Sequence, residues 1–116
     1  MRVTEIIADL PVADIETAKG FYTEYLGLSI EEFNLGWVAR FTSPENGKNL
    51  QLVSKDQTSP VDAVVSIKVD DVDAAYVAAV ERGFEIVHPL QDEEWGVRRF
   101  FVKAPDGNVL NIVQHR

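Results

Sequence analysis

Two stretches of the sequence carry apolar residues at the three- and four-residue spacing of an amphipathic helix. This pattern predicts helices at Ile15–Leu26 and Val72–Arg82. An aspartate precedes each helix as a candidate N-cap, and a glycine follows each as a candidate C-terminal stop. These residues are Asp14 and Gly27 for the first helix, and Asp71 and Gly83 for the second.

One predicted strand precedes each helix and three follow it. The predicted strands are Thr4–Val12, Leu28–Phe33, Trp37–Thr42 and Asn49–Val53, then Ala63–Val69, Phe84–Val87, Val97–Val102 and Val109–Val113. The last two strands of each half are separated by Asn46-Gly47 or Asp106-Gly107, dipeptides typical of a type I′ turn. The order of elements is therefore the same in both halves.

The halves also correspond residue by residue, since Asn49-Leu50-Gln51-Leu52-Val53 matches Val109-Leu110-Asn111-Ile112-Val113. A repeat of this length predicts two copies of one supersecondary unit. We expect a single α+β domain of two βαβββ repeats, at residues 1–54 and 61–116. The polar segment 55–60, which ends in proline, is the predicted linker.

Composition excludes several classes of protein. The 116 residues include no cysteine, so neither a disulfide framework nor a cysteine metal site is possible. With 19 acidic and 11 basic side chains the formal charge is −8, and no basic cluster suits nucleic acid. No apolar run approaches the ~20 residues that span a bilayer, and the N-terminus lacks a signal-peptide layout. We expect a cytoplasmic protein without nucleic-acid or membrane partners.

Two motifs resemble a known family. The segment Val-Ala-Asp-Ile-Glu-Thr-Ala-Lys-Gly-Phe-Tyr-Thr-Glu-Tyr-Leu-Gly-Leu and the ending Ala-Pro-Asp-Gly-Asn-Val-Leu-Asn-Ile-Val are similar to those of the vicinal oxygen chelate superfamily. This superfamily contains glyoxalases, bleomycin-resistance proteins and dioxygenases. The resemblance implies a curved mixed sheet around a cavity, with the helices outside, and a homodimer.

Metal enzymes of this superfamily place their ligands on the first and last strand of each repeat. Motif spacing carries those positions over to Ile7, Gln51, Val64 and Asn111. Two of these have no donor atom, and the amides offer only neutral oxygens, which are weak ligands for a divalent ion. No metal cofactor is therefore predicted. His88 and His115 lack a metal-binding spacing and are predicted at the surface.

Because side chains alternate along a strand, further residues can be assigned to the face that lines the predicted cavity. If Ile7 faces the cavity, so do its alternate neighbours, whereas Ile6, Ala8 and Leu10 meet the helix. The candidate ligand-binding residues are Glu5, Ile7, Asp9, Trp37, Phe41, Gln51, Val64, Ser66, Lys68, Trp95 and Asn111. One of Phe100 and Phe101 also faces inward, and alternation leaves open which.

Two interpretations of this polar face stay open. Either it is solvated, with Glu5 or Asp9 paired to Lys68, or it is a cleft with polar anchors and tryptophans for stacking. The leading hypothesis is a metal-independent small-molecule-binding protein of the bleomycin-resistance type that sequesters a cationic or aromatic compound. The alternative is a glyoxalase- or dioxygenase-like lyase or isomerase with atypical or no metal ligands. A dimeric interaction module without a ligand is the third class. No catalytic residue is predicted.

Overall fold

The structure, a computed structural model, describes every residue from Met1 to Arg116. Its elements, in chain order, are β1 Val3–Pro11, α1 Ile15–Gly20, β2 Ile30–Asn34, β3 Val38–Thr42, β4 Asn49–Val53, β5 Val65–Val69, α2 Val72–Glu81, β6 Glu85–Asp92, β7 Val97–Lys103 and β8 Val109–His115. Parallel and antiparallel strand pairs occur in both halves of the chain, which confirms the α+β class and the βαβββ order of each repeat. None of the helices combines the length and apolarity that crossing a bilayer requires.

The chain contains two compact units. The N-terminal unit is Ile7–Thr58, and the C-terminal unit joins Met1–Ile6 to Ser59–Arg116, so that β1 is divided between them. The strand order is β2-β3-β4-β1 in the N-terminal unit and β1-β5-β8-β7-β6 in the C-terminal unit. In the N-terminal unit β1 runs parallel to β4, and in the C-terminal unit β5 runs parallel to β8. The remaining pairs of β2–β4 and β6–β8 are antiparallel.

Both helices begin where the sequence predicts. The Asp14 carboxylate accepts hydrogen bonds from the Thr17 amide at 2.9 Å and from its hydroxyl at 2.6 Å. The Asp71 carboxylate accepts from the Ala74 amide at 3.0 Å. These bonds pair amides that the first helical turn leaves without a partner, so both aspartates are N-caps.

The first helix differs from its prediction in its second half. The α-helix ends at Gly20 and continues as a π-helical segment, Phe21–Tyr25. A π-helical turn holds more residues than an α-helical one, so the apolar stripe rotates away from the core. Phe21, Tyr25 and Leu26 are consequently exposed, although in a continuous α-helix their spacing would place them on the apolar stripe with Ile15.

Each unit packs its helix on one face of its strands. In the C-terminal unit Val72, Ala75 and Ala79 pack with Phe100 and Ile112. Because alternate residues of β7 point to opposite faces, Phe101 faces away from α2. This decides which phenylalanine lies on the helix-free face.

In the N-terminal unit Ile15 packs with Ala39, Phe41 and Leu52, and Leu10 lies against this cluster. The expectation that Ile6 and Ala8 also meet the helix is wrong. Ala8 is exposed and Ile6 is 66% exposed. Within this unit, an α1 of six residues is only about 9 Å long, so it covers Leu10 but not Ala8.

The two hairpin turns are not of type I′, which requires positive φ at both central residues. Only glycines have positive φ in this chain, among them Gly47 at 73° and Gly107 at 95°. The Gly107 amide donates to the Ala104 carbonyl at 2.9 Å, which closes a turn ahead of the left-handed glycine. In this second turn Pro105 explains the difference, because its ring fixes φ near −65°, which suits the first central position of a type I turn.

Candidate functional site

A row of four side chains crosses the helix-free face of the N-terminal unit. Strand register aligns Phe33 with Arg40, Arg40 with Gln51, and Gln51 with Asp9. We call these four residues the Arg40 row. The same register recurs in the C-terminal unit, where His88 aligns with Phe101, Phe101 with Asn111, and Asn111 with Ser66. These four residues are the His88 row.

Hydrogen bonds link three members of the Arg40 row. Arg40 donates from Nε and Nη2 to Oε1 of Gln51, at 3.0 and 2.8 Å, and Gln51 Nε2 donates to Asp9 Oδ1 at 2.7 Å. The guanidinium lies 5.0 Å from the centre of the Phe33 ring. All three hydrogen-bonded residues are 7% exposed, and none has a buried polar atom without a partner. The Arg40 row is thus a closed polar network.

The outer edge of the same network contains Glu32 and Thr42. One Glu32 oxygen accepts the Thr42 hydroxyl at 2.7 Å, and the other lies 3.6 Å from Arg40 Nη1. Arg40 therefore lies between the Gln51 amide and the Glu32 carboxylate of its own unit. This placement leaves its positive charge compensated within the unit.

The His88 row is bonded less completely. Asn111 Nδ2 donates to the Ser66 hydroxyl at 3.0 Å, and the His88 and Phe101 rings lie 5.2 Å apart. His88 is 1% exposed and Asn111 is 9% exposed. Yet both ring nitrogens of His88 and Oδ1 of Asn111 are buried without a hydrogen-bond partner. Most buried polar groups have a partner, so these three atoms require an explanation.

An arginine and a glutamate extend this row. Arg99 lies over the rings of Trp95 and Phe101, 5.1 and 4.8 Å from their centres. Its Nη2 lies 3.4 Å from one Glu93 oxygen, and the other Glu93 oxygen lies 3.6 Å from His88 Nε2. Gln91 also donates to that second oxygen. Glu93 therefore holds a buried cation and a buried imidazole together.

The predicted surface position of His88 is wrong. Pro89 indicated the end of a strand, but β6 continues to Asp92, with register shifts on both sides of His88. Because β6 is an edge strand, proline is tolerated within it at a bulge. His115, by contrast, is exposed as predicted.

The structure divides the candidate residues into two groups. Ile7, Asp9 and Gln51 lie in the N-terminal unit, and Ser66, Lys68, Trp95 and Asn111 in the C-terminal unit. Of the pairings considered for Lys68, the structure contains the one with Glu5, at 3.2 Å. Asp9 instead accepts from Gln51.

Three further candidates lie differently from the expectation. Phe41 is fully buried against Ile15, so it belongs to the helix-facing core and not to the opposite face. Val64 precedes β5 and is 52% exposed. Trp37 is half-buried in a hairpin loop, following Gly36, whose φ is 90°.

Sequence reasoning missed four charged or titratable residues of these faces: Arg40, His88, Glu93 and Arg99. The alternation Ala39–Arg40–Phe41 contained a signal for the first, since two apolar neighbours on the helix side place the arginine opposite. The other three depend on the course of β6 and on the loop that follows it, which no periodicity predicts.

The family's metal positions do not fit a metal ion in either unit. In the N-terminal unit Ile7 has no donor, and Gln51 Oε1 already accepts two bonds from a guanidinium, whose charge repels a divalent cation. In the C-terminal unit Val64 has no donor and Asn111 offers only an amide. No group of three or more His, Asp or Glu residues lies close enough to hold a metal.

A separate cavity of about 370 Å³ lies in the C-terminal unit beside the first turn of α2. Two aspartates and two arginines of its lining form a closed ring of ion pairs, with distances from 3.0 to 3.6 Å: Asp73, Arg98, Asp92 and Arg116. The hydrogen bond to Asp73 is the main cause that raises the pKa of Arg98. These four charges compensate one another, and Glu93, which also lines the cavity, is paired with Arg99, so the cavity favours no ligand charge.

The sequence pattern of the Glyoxalase/Bleomycin resistance protein/Dioxygenase superfamily matches residues 4–112. The chain belongs to this superfamily. A search of curated proteins found no match.

Solved structures agree with the superfamily fold. A structure described as NAD-dependent benzaldehyde dehydrogenase from Legionella pneumophila has a TM-score of 0.76 at 19% identity, covering 97% of this chain and 100% of that one. Methylmalonyl-CoA epimerase from Mycobacterium tuberculosis has a TM-score of 0.73 at 22% identity, covering 98% and 89%. A superfamily member from Vibrio splendidus 12B01 has a TM-score of 0.69 at 18% identity, covering 95% and 97%. At these identities the likeness shows the fold alone.

Proposed function

We propose that this superfamily member binds a small organic molecule on the helix-free face of its C-terminal unit, without a metal ion. The observation that carries the proposal is the set of buried polar atoms without partners in the His88 row. Leaving such an atom unpaired costs about 1–3 kcal/mol. A ligand that forms hydrogen bonds with these atoms recovers that free energy. The atoms without partners therefore support a ligand-binding site at the His88 row.

The chemistry of the face suits retention of an intact ligand. Phe101 and Trp95 supply aromatic surface, and the row supplies hydrogen-bonding atoms for orientation. In keeping with the bleomycin-resistance branch of the superfamily, we propose that the protein acts by sequestering a toxic compound. Protection then requires one protein molecule for each ligand molecule.

A thermal-shift screen of small aromatic compounds tests the proposal. Ligands that bind only the folded protein raise its midpoint, and the increase grows with the logarithm of their concentration above Kd. The two histidines offer a matched pair of variants, because His88 is in the row and His115 is exposed. His88→Phe should abolish the shifts that His115→Phe preserves. Equal shifts in both variants would place the ligand elsewhere.

The alternative function is an enzyme, a lyase or isomerase that uses the same face. The observation in its favour is the Glu93 carboxylate 3.6 Å from His88 Nε2, both groups being buried. A carboxylate that orients an imidazole is a common arrangement for a general base. Ligand C–H exchange in deuterated water, followed by NMR, distinguishes the two functions. An enzyme exchanges a ligand hydrogen and loses this ability in His88→Phe, whereas a sequestering protein leaves the ligand unchanged.

The homodimer that the resemblance implies is also part of our proposal. The exposed side chains of Phe21, Tyr25 and Leu26 give the N-terminal unit an apolar surface that a second copy could cover. Sedimentation equilibrium at micromolar concentration should then give about twice the 13.0 kDa chain mass. A monomer of 13.0 kDa under those conditions would remove the dimer from the proposal.

A further inference from the structure

The charged groups on the helix-free face of the C-terminal unit are paired within that unit. Glu93 lies 3.4 Å from Arg99, and Glu5 lies 3.2 Å from Lys68. Their formal charges cancel in each pair. A ligand with a net charge would enter a face whose acidic and basic side chains already have partners, and a further buried charge there is costly.

The aromatic rings on this face already interact with a cation. The Arg99 guanidinium lies over both Trp95 and Phe101. Ring faces attract cations through their negative quadrupole, and here a fixed side chain uses that attraction. A cationic ligand placed near these rings would also be repelled by Arg99. Phe101 is 1% exposed, but Trp95 is half-buried, and its remaining surface suits an uncharged aromatic ligand.

Two polar atoms of the row that lack partners are hydrogen-bond acceptors. Asn111 Nδ2 donates to Ser66, so the open atom of this amide is its carbonyl oxygen Oδ1. In His88, the nearby Glu93 carboxylate favours the tautomer with the proton on Nε2, which leaves Nδ1 as an acceptor. Both atoms therefore require a donor from the ligand, and the protonated Nε2 of His88, which is also buried without a hydrogen-bond partner, requires an acceptor.

We infer that the ligand of the His88 row is an uncharged aromatic molecule that donates and accepts hydrogen bonds through hydroxyl or amide groups. This inference rests on the proposed function, since it names the class of ligand for the same face. It replaces the cationic ligand expected from the sequence, because the acidic residues that suggested a cation have partners of their own.

The dimensions of the row indicate how the ligand lies. His88 and Asn111 are on β6 and β8, separated by β7, which carries Phe101 between them. Neighbouring strands are about 4.8 Å apart, so the two backbones are about 10 Å apart. A ligand that reaches both acceptors extends across Phe101 and carries a donor at each end, whereas a fused two-ring system with a single hydroxyl group donates to one of them.

Four probes that share one ring system and differ only in their polar group test which polar group the face prefers. These are 2-naphthol, 2-methoxynaphthalene, 2-naphthoate and 2-naphthylmethylammonium, with binding to the full chain measured by calorimetry at pH 7. We expect 2-naphthol to bind at least about tenfold more tightly than 2-methoxynaphthalene, because the ether cannot donate to a buried acceptor. Both charged probes should bind more weakly than 2-naphthol.

Substitutions identify the acceptors. Because 2-naphthol has a single donor, one of Asn111→Leu and His88→Phe should reduce its preference over the methyl ether several-fold and so identify the acceptor, whereas the control His115→Phe should leave it unchanged. Circular dichroism establishes that each variant is folded. If the ammonium probe binds more tightly than 2-naphthol, the inference is overturned and the proposed function stands. If none of the four probes binds at millimolar concentration, the proposed function is overturned as well.

Discussion

Equivalent positions in the two units should respond differently to the loss of an amide. Gln51 and Asn111 occupy the same register in β4 and β8. Gln51→Met and Asn111→Leu each replace the amide with an apolar side chain. Only the first substitution removes hydrogen bonds to charged groups, so only the first should reduce stability strongly.

The contacts set the expected magnitudes. Gln51 accepts two bonds from Arg40 and donates one to Asp9. Bonds to charged groups contribute about 1.5–3 kcal/mol each, but the two Arg40 bonds share one acceptor. Because Glu32 remains beside Arg40, we expect Gln51→Met to lower the free energy of unfolding by about 3 kcal/mol.

Asn111→Leu has two opposing effects. It loses one neutral bond to Ser66, worth about 1 kcal/mol, and it removes a buried carbonyl that lacks a partner, which recovers about 1–3 kcal/mol. The expected change therefore lies between about zero and a stabilisation of 1–2 kcal/mol. Relative to Gln51→Met, the midpoint of thermal unfolding should be higher by about 10 °C or more.

Urea unfolding followed by tryptophan fluorescence measures both variants against the parent chain. The slope of the free energy with urea should stay constant, so that differences in midpoint report stability. A loss in Asn111→Leu equal to that in Gln51→Met would refute the reasoning. It would mean that Asn111 Oδ1 has a partner in solution and is not available to a ligand.

Three further predictions concern pH, the core and metal. Hydrogen bonds from the Thr17 hydroxyl and then its amide lower the pKa of Asp14 below its usual 3.8. This stabilisation is present above the unfolded pKa and lost as pH falls through the folded one. Between about pH 5 and 2, Asp14→Asn should therefore lose less stability than the parent in urea titrations, and an equal loss would contradict this. Phe41→Leu should lower the free energy of unfolding by about 1–2 kcal/mol but leave the affinity for 2-naphthol unchanged. Reduced affinity in the folded variant would show that Phe41 contributes to the ligand site. EDTA and added Zn²⁺ or Mn²⁺ should leave the thermal midpoint unchanged, because the Gln51 side-chain oxygen already accepts two hydrogen bonds from Arg40. Stoichiometric metal binding with a raised midpoint would contradict this.

Local chemistry made much of the fold predictable. An N-cap needs an aspartate whose carboxylate reaches an amide three residues later, and Asp14 and Asp71 meet this requirement within their own segments. The bounds of β4 were also predictable, because its apolar alternation and the preceding glycine both lie within a few residues. Such features depend on residues that are close in the sequence, so they can be predicted without the tertiary structure.

The site was less predictable because its geometry depends on distant neighbours. His88 is buried since β6 continues past Pro89 along β7, and Glu93 reaches it from beyond the end of that strand. Phe100 and Phe101 are indistinguishable in a run of apolar residues until α2 packs on one of them. The charge of a face likewise depends on which side chains pair across strands.

The sequence alone determined the repeat, the helix caps and the strand order along the chain, because these follow from short-range periodicity and backbone preference. Tertiary structure alone decided that the Arg40 row is closed and that the His88 row has acceptors without partners. The two rows share one register, yet hydrogen bonding across strands depends on side-chain length and partner identity: a glutamine reaches both Arg40 and Asp9, whereas the shorter Asn111 reaches only Ser66.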